Sequence, residues 1–474
     1  MSLRHIGGEM AGWSDAAPAG GPSYAHLLDT LHPLVPEGAR VLVAGPHEPG
    51  LITALPPDAE VTCLVRGESD AAAMSTRALA VLCGSLSKLT DADHYDVVIA
   101  LDGVERLCSV EGPQYDWAEA LQALRRALRP GGALLLAVQN ELGVHRLVDR
   151  TAVTFAHTDA DWRPVGEYGT KPGSPARLRQ HLAADGLSVA WLGTAWPLPS
   201  APTLIVDEPA LRDGPAGALA AAASAAIGTA YASRPVLSDP RRLAAAAIRG
   251  GIGPELAPSW VVLAFRGPAG RVTMPDAVLG GGPMPAVPPG RLLEELLIGA
   301  CLRHDLPALR RLLSAWVTRQ PAATADNVLV DGDTVTVFDP ARPAVEPAAA
   351  IRRFAETLLA GGYDQPWPAA RDTAALTAVL LAAAGLSPVM DPPGLPAPAP
   401  DSLREHEERV RRLEEQLADA DERIRYAESE LVRRDGELRR AQLQIDLFSG
   451  NVGYRITKLG ARAARAVRRN LKKR

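Results

Sequence analysis

The sequence has few cysteines, no long run of strongly apolar residues, and no acid at all over residues 449–474. Its four cysteines, Cys63, Cys83, Cys108 and Cys301, lack the paired spacing of a metal site or a disulfide framework. The first two fall in predicted buried strands, where a thiol behaves as a small apolar group, and a reducing cytoplasm fits. The opening Met1-Ser2-Leu3-Arg4-His5 leads into glycine, alanine and proline, which argues against a secretory signal. Residues Gly214 to Ser233 are uncharged and long enough to span a bilayer. Alanine, glycine and serine dominate them where lipid would call for leucine, isoleucine, valine and phenylalanine, so the segment predicts a packed helix.

A chain of 474 residues, 47% of them apolar, exceeds what one core usually serves. Residues 1–22 are Gly/Ala-rich and predicted loose. Continuously apolar runs follow at Val41–Ala44, Val61–Val65, Val81–Cys83, Val97–Ala100 and Leu134–Val138, as expected of strands covered on both faces. A helix over Trp117–Leu128 stops at Arg129-Pro130-Gly131-Gly132. A helix at Ala176–Ala184 precedes a strand at Leu187–Leu192, and Trp260–Phe265 supplies a last strand. The pattern is that of an α/β, doubly wound, mostly parallel Rossmann-like sheet over residues 23–267, with a helical insertion at about 207–257.

A linker over 268–290 leads to a small, mainly helical unit at 291–390 with helices at Leu292–His304 and Leu306–Thr318. Its Asp331-Gly332 pair between β-branched residues signals a hairpin. A proline-rich linker at 391–400 precedes a long helix over 401–448. There, positions in alternating steps of three and four give Leu403, Val410, Leu417, Ile424, Leu431, Leu438 and Ile445, a coiled-coil seam that needs a partner and predicts a homo-oligomer. Small and polar residues at the second seam positions, with Gly436, make it a modest coil. The tail 449–474 holds nine Lys or Arg, which leaves the rest of the chain at about −14 when subtracted from the net −5.

The block Val41-Leu42-Val43-Ala44-Gly45-Pro46-His47-Glu48-Pro49-Gly50 resembles the first motif of class I S-adenosylmethionine-dependent methyltransferases, in which a strand ends in a glycine-rich turn beneath the cofactor. Tyr95 to Leu107 and Leu128 to Asn140 resemble the family's fourth strand with its loop and its Pro-Gly-Gly turn with the fifth strand. The resemblance covers residues 24 to 206, or as far as Gly267. It implies S-adenosylmethionine as cofactor, bound at the carboxyl ends of the strands at the topological switch point. Gly45, Pro46 and Gly50 would line the methionine side, Val65 and Arg66 the ribose, Gly84, Ser85 and Leu86 the adenine, and Leu101, Asp102 and Gly103 the floor.

Two positions depart from the family. Its members usually end the second strand in an acid that holds the ribose hydroxyls, and here stands Leu64-Val65-Arg66. They often place an Asp after the third strand, and here stands Ser85. Hydrogen bonds to a charged group contribute about 1.5–3 kcal/mol each, so both losses weaken such a site tenfold or far more. An arginine there also suits a ribose phosphate, as in NADP-binding sheets, but the first turn lacks the Gly-x-Gly-x-x-Gly spacing. Methyl transfer needs mostly positioning, sometimes with one general base, for which Glu105, His145 and Asp149 are the candidates beside a plain surface or capping role.

Asn327 and Asp339, separated by the hairpin, resemble the metal-binding pair of aminoglycoside-phosphotransferase-like kinases. The family's catalytic Asp would fall at Ala322 and no phosphate loop precedes it, so the resemblance implies a kinase remnant without phosphotransfer. Methyltransferase, kinase-like unit and coiled coil in that order resemble the bifunctional enzyme that caps bacterial O-antigen chains. That order implies methyl transfer to a sugar or glycan precursor in surface-polysaccharide assembly. A scaffold with a degenerate nucleotide fold is the competing reading. The basic tail, with Ile456, Leu459, Ala463, Val467 and Leu471 near one helical face, suits an anionic membrane surface or a membrane-bound partner at its inner face. Nucleic acid is less favoured, because Tyr454 is the tail's only aromatic.

Overall fold

A computed structural model of the chain describes residues 3–75, 80–90, 93–150, 170–270, 272–284, 289–387, 389, 394, 399–450 and 452–471. They fall into two units, Met1–His406 and Glu407–Arg474. In chain order the strands are β1 Leu3–Gly7, β2 Arg40–Ala44, β3 Glu60–Val65, β4 Ala80–Gly84, β5 Tyr95–Ala100, β6 Leu128–Gln139, β7 Leu187–Trp196, β8 Leu204–Asp207, β9 Pro235–Val236, β10 Ser259–Arg266, β11 Ala277–Leu279, β12 Gly282–Pro283, β13 Arg291–Leu292, β14 Val328–Asp331, β15 Thr334–Val337 and β16 Asp401–Ser402.

The main sheet runs β1-β4-β3-β2-β5-β6-β10-β7-β8-β11-β12. All seven predicted strands lie side by side in it, parallel except for β10, which is reversed between β6 and β7. Their unbroken apolar sequence has a direct cause, because successive side chains point to opposite, equally covered faces. Leu42, Val98, Leu134, Leu136 and Val262 enter one core and Val41, Val43, Ile99, Leu135 and Val261 the other. The helix Trp117–Ala127 covers the first face with Trp117, Leu121 and Leu124, and its Asp116–Glu119 capping box fixes where it starts. Helix Pro22–Thr30 covers the second with Tyr24, Leu27 and Leu28.

The structure corrects four sequence-derived boundaries. The described part of the segment 1–22, residues 3–22, is not loose: it supplies β1, parallel to β4, and then runs along the strand tips. The presumed linker 268–290 supplies β11 and β12, which pair antiparallel beyond β8. The unit at 291–390 has its own core around Leu297, Leu309, Trp316, Phe354 and Leu380, yet it belongs to the same compact body as the sheet. The two are joined by a buried network in which Asp239 binds both Arg241 and the Tyr363 hydroxyl, with Glu294 3.4 Å from Arg241. The long helix Leu403–Gly450 begins inside the first body, where Asp401 and Ser402 pair with Pro235 and Val236 and Glu405 lies buried near Arg242. The second unit therefore starts at Glu407, not at 401. Most of linker 391–400 lies outside the described residues.

Helix Ala216–Tyr231 packs Leu219 to Ala223 and Ile227 into the main core, as its small side chains allow. Among the described residues no helix is long and apolar enough to cross a membrane.

Candidate functional site

From β2 the chain steps outward through β3 to β4, and from β5 it steps the other way to β6. The switch point therefore lies between the tips of β2 and β5, where an open α/β sheet offers a ligand crevice. Gly45 leaves β2 with φ +95°, a conformation that favours glycine, and a Cβ there would sit 3.6 Å from Asp102 Cβ and 3.3 Å from Leu107 Cδ2. Gly45 and Asp102 thus lie opposite one another at the switch point, close to van der Waals contact.

What fills the space around them was not expected. His47, buried inside the glycine turn, bridges the switch point: its Nδ1 is 3.0 Å from the Gly45 carbonyl, and Leu101 N–H donates to its Nε2 at 3.0 Å. Since Nε2 accepts, the proton sits on Nδ1 and is donated to Gly45. Burial pushes this imidazole down to about 4, so it stays neutral.

The N-terminal segment lies along the strand tips. Met10 N–H donates to Arg66 O at 2.8 Å, Glu68 N–H to Met10 O at 3.2 Å, Ala19 N–H to Pro46 O at 3.0 Å and Glu48 N–H to Ala19 O at 2.8 Å. Arg66, which stands where the family's ribose-binding acid is looked for, is turned wholly inward. Its guanidinium binds Asp15 at 2.5–3.2 Å and the Cys108 carbonyl at 3.0 Å, under the Trp13 ring 5.6 Å away. The two charged side chains are 0% and 1% exposed.

The predicted adenine end is likewise occupied. Ser85 N–H donates to Gly7 O at 3.0 Å, a Cβ on Gly84 would lie 2.5 Å from that same oxygen, and Leu86 is in the core with its N–H on Leu107 O. Val65 packs on Val81 and Cys83, away from any ligand space. Pro46 is tied to Ala19 through its carbonyl, and Gly50 is open to solvent at the start of the short helix Pro49–Thr53. In this conformation the residues present do not fit S-adenosylmethionine along the predicted ribose and adenine positions.

Beside Asp102 a cavity of about 220 Å³ remains, lined by Asp102, Glu105, Arg106, Gln139, Ser200 and Ser259 among others. Gly103, with φ +85°, turns the chain along its wall, and Leu101 is buried beneath. Arg106 Nε donates to Asp102 at 2.7 Å, and its terminal nitrogens bind Asp102 and the carbonyls of Ala16 and Ala17. Burial pushes the Asp102 carboxyl up to about 6 against the pull of that arginine.

Of the three candidate bases only Glu105 lines the cavity, and it is paired: Lys171 Nζ lies 2.7 Å from its Oε1 and also 2.7 Å from Glu141. His145 is buried behind the wall, 3.2 Å from Gln139, and burial pushes it down to about 4. Asp149 is exposed at a bridge to Val236 and does not line the cavity.

In the second unit Asn327 and Asp339 are not arranged as a pair of cation ligands. The Asn327 amide donates to the Asp339 carbonyl at 3.0 Å and accepts from the Asp339 N–H at 2.8 Å, so the pair locks the base of the hairpin instead of presenting two oxygens to a cation. The Asp339 carboxylate caps Ala341 N–H at 2.9 Å. Among the described residues no group of three or more His, Cys, Asp or Glu is placed to hold a metal ion.

No protein-family model matches the chain, and no curated protein does. Solved structures similar in fold include a Thermotoga maritima S-adenosylmethionine-dependent methyltransferase described as a possible histamine N-methyltransferase (14% identity, 51% of this chain and 89% of that one, TM-score 0.30). A second is a Burkholderia thailandensis 1,6-didemethyltoxoflavin N1-methyltransferase with bound S-adenosylhomocysteine (13%, 52% and 79%, 0.28). A third is the cyclase SpnF (11%, 52% and 81%, 0.29). Each likeness is one of fold.

Proposed function

We propose that the chain is an S-adenosylmethionine-dependent methyltransferase whose crevice is held shut by its own residues 10–20. The observation that carries this reading is the opposition of Gly45 and Asp102 at the switch point with a polar cavity directly beside them. S-adenosylmethionine would supply an electrophilic methyl group. Its place along Gly45, Pro46 and Arg66 becomes accessible only when Trp13, Asp15 and Ala19 lift away, and at Ser85 only when Gly7 leaves as well. Asp102, raised to about 6, is with Glu105 one of two carboxylates lining the cavity and is the one we assign to orienting an acceptor hydroxyl or amine.

A sugar or glycan acceptor rests now on the methyltransferase-like fold and the long helix alone, because the second unit offers no metal pair. The seam residues Val410, Leu417, Ile424, Leu431, Leu438 and Ile445 are all more than half exposed in the single chain, which supports a coiled-coil homo-oligomer.

A second reading, a scaffold that no longer catalyses, is favoured by the buried Arg66–Asp15 pair and by His47 inside the glycine turn. Calorimetric titration separates them. S-adenosylmethionine binding by an Asp15→Ala chain, and more weakly by the natural one, supports the gated enzyme. Binding by neither at millimolar concentrations leaves the scaffold.

A further inference from the structure

The C-terminal helix Val452–Leu471 is one run of 20 residues, roughly 30 Å long. At 100° per residue, Ile456, Leu459, Ala463 and Ala466 fall within an arc of roughly 80°, and Lys458, Arg462, Arg465 and Arg469 within roughly 60° on the adjoining flank. Ile456 and Leu459 are 63% and 67% exposed. Residues 449–474 carry nine cations and no acid.

Charge selects the occupant. Another copy of this helix would bring like charges together, so the stripe is not a seam for self-association. A polynucleotide would accept the cations but leave the apolar stripe in water, and the tail offers one aromatic, Tyr454, for stacking. An anionic bilayer satisfies both faces at once, with headgroups against the arginines and the acyl boundary against Ile456 and Leu459. The stripe is narrow and half alanine, too small to hold a neutral bilayer by itself.

We propose that residues 452–471 dock the protein on an anionic phospholipid surface, lying flat with Ile456 and Leu459 inward and the arginine flank on the headgroups. The proposal goes beyond the crevice and holds whatever the crevice binds.

Flotation of the full chain with vesicles tests it. Vesicles of phosphatidylcholine with one third phosphatidylglycerol should carry the protein upward, vesicles of phosphatidylcholine alone should not, and raising salt should release it. Each cation near the surface contributes about fivefold, so Arg462→Gln with Arg465→Gln should weaken binding about thirtyfold. Ile456→Ser with Leu459→Ser should weaken it at least tenfold, with helix content unchanged by circular dichroism. Absence of flotation overturns the proposal. So does binding to anionic vesicles that the serine pair leaves intact, the mark of a polycation on any polyanion, RNA included.

Discussion

Replacing Asp15 by alanine is the sharpest perturbation of the closed crevice. The Arg66 guanidinium would keep the Cys108 carbonyl and the Trp13 ring face, but lose the buried Asp15 carboxylate. Breaking a buried pair by removing one member costs about 3–5 kcal/mol, because the remaining charge stays out of water. The chain has one escape, which is to release the N-terminal segment and hydrate Arg66. That route forfeits six backbone hydrogen bonds, those donated by the N–H groups of Met10, Ala19 and Gly20 and those the segment accepts from Glu48, Glu68 and Ser69, at about 1 kcal/mol net each.

The loss is therefore about 3–5 kcal/mol if Arg66 stays buried and about 6 kcal/mol if the segment leaves, read from the first transition in urea. Limited proteolysis tells them apart, since cleavage within residues 10–20 accelerates only if the segment leaves. The double replacement Asp15→Leu with Arg66→Met should recover most of the loss, because two well-packed apolar side chains have no charge to desolvate. A loss below about 1 kcal/mol with unchanged proteolysis, or a double variant as unstable as the two single losses summed, would refute the assignment of a buried pair closing the crevice.

Three further outcomes follow from named contacts. His47 is neutral in the fold down to about pH 4 and titrates near 6.5 when unfolded. Its contribution is therefore complete above pH 6.5 and is lost as pH falls toward 4, by roughly 3 kcal/mol. His145 tilts stability the same way and Asp102, raised to about 6, tilts it oppositely, so the difference between natural chain and His47→Gln over that pH range is the measurement. Asn327→Ala should cost about 1–3 kcal/mol by stranding the Asp339 N–H and carbonyl, whereas magnesium or a chelator should leave the melting temperature of the natural chain unmoved. A chain ending at His406 should sediment as a monomer, since it keeps the contacts of Asp401, Ser402 and Glu405 and loses only the seam.

The inner strands were legible because both faces of the sheet are covered, which writes them as unbroken apolar runs such as Val41–Ala44 and Leu134–Val138. The edges were not. In β1 two of the five residues, Arg4 and His5, are exposed, and β11 and β12 are so short that glycine and proline dominate their surroundings. Gly45 and Asp102 could be placed because strand-end turns carry a local signature. The pair that closes the crevice could not, for Asp15 and Arg66 are 51 residues apart and neither position predicts the other. His47 stands inside the glycine turn after β2, and its role depends on Leu101, which the parallel pairing of β2 with β5 brings near. The apolar heptads of the long helix were visible, but residues 401–406 look the same in sequence whether or not they pack on a domain.

Hydrogen exchange in the presence of S-adenosylhomocysteine tests the central claim most directly. If the crevice is gated by residues 10–20, the amides of Met10, Ala19 and Glu48 should lose protection on adding the ligand while those of β2 and β5 gain it. Unchanged protection at Met10 and Ala19 under saturating ligand, or no ligand-dependent change anywhere at the strand tips, would contradict the account.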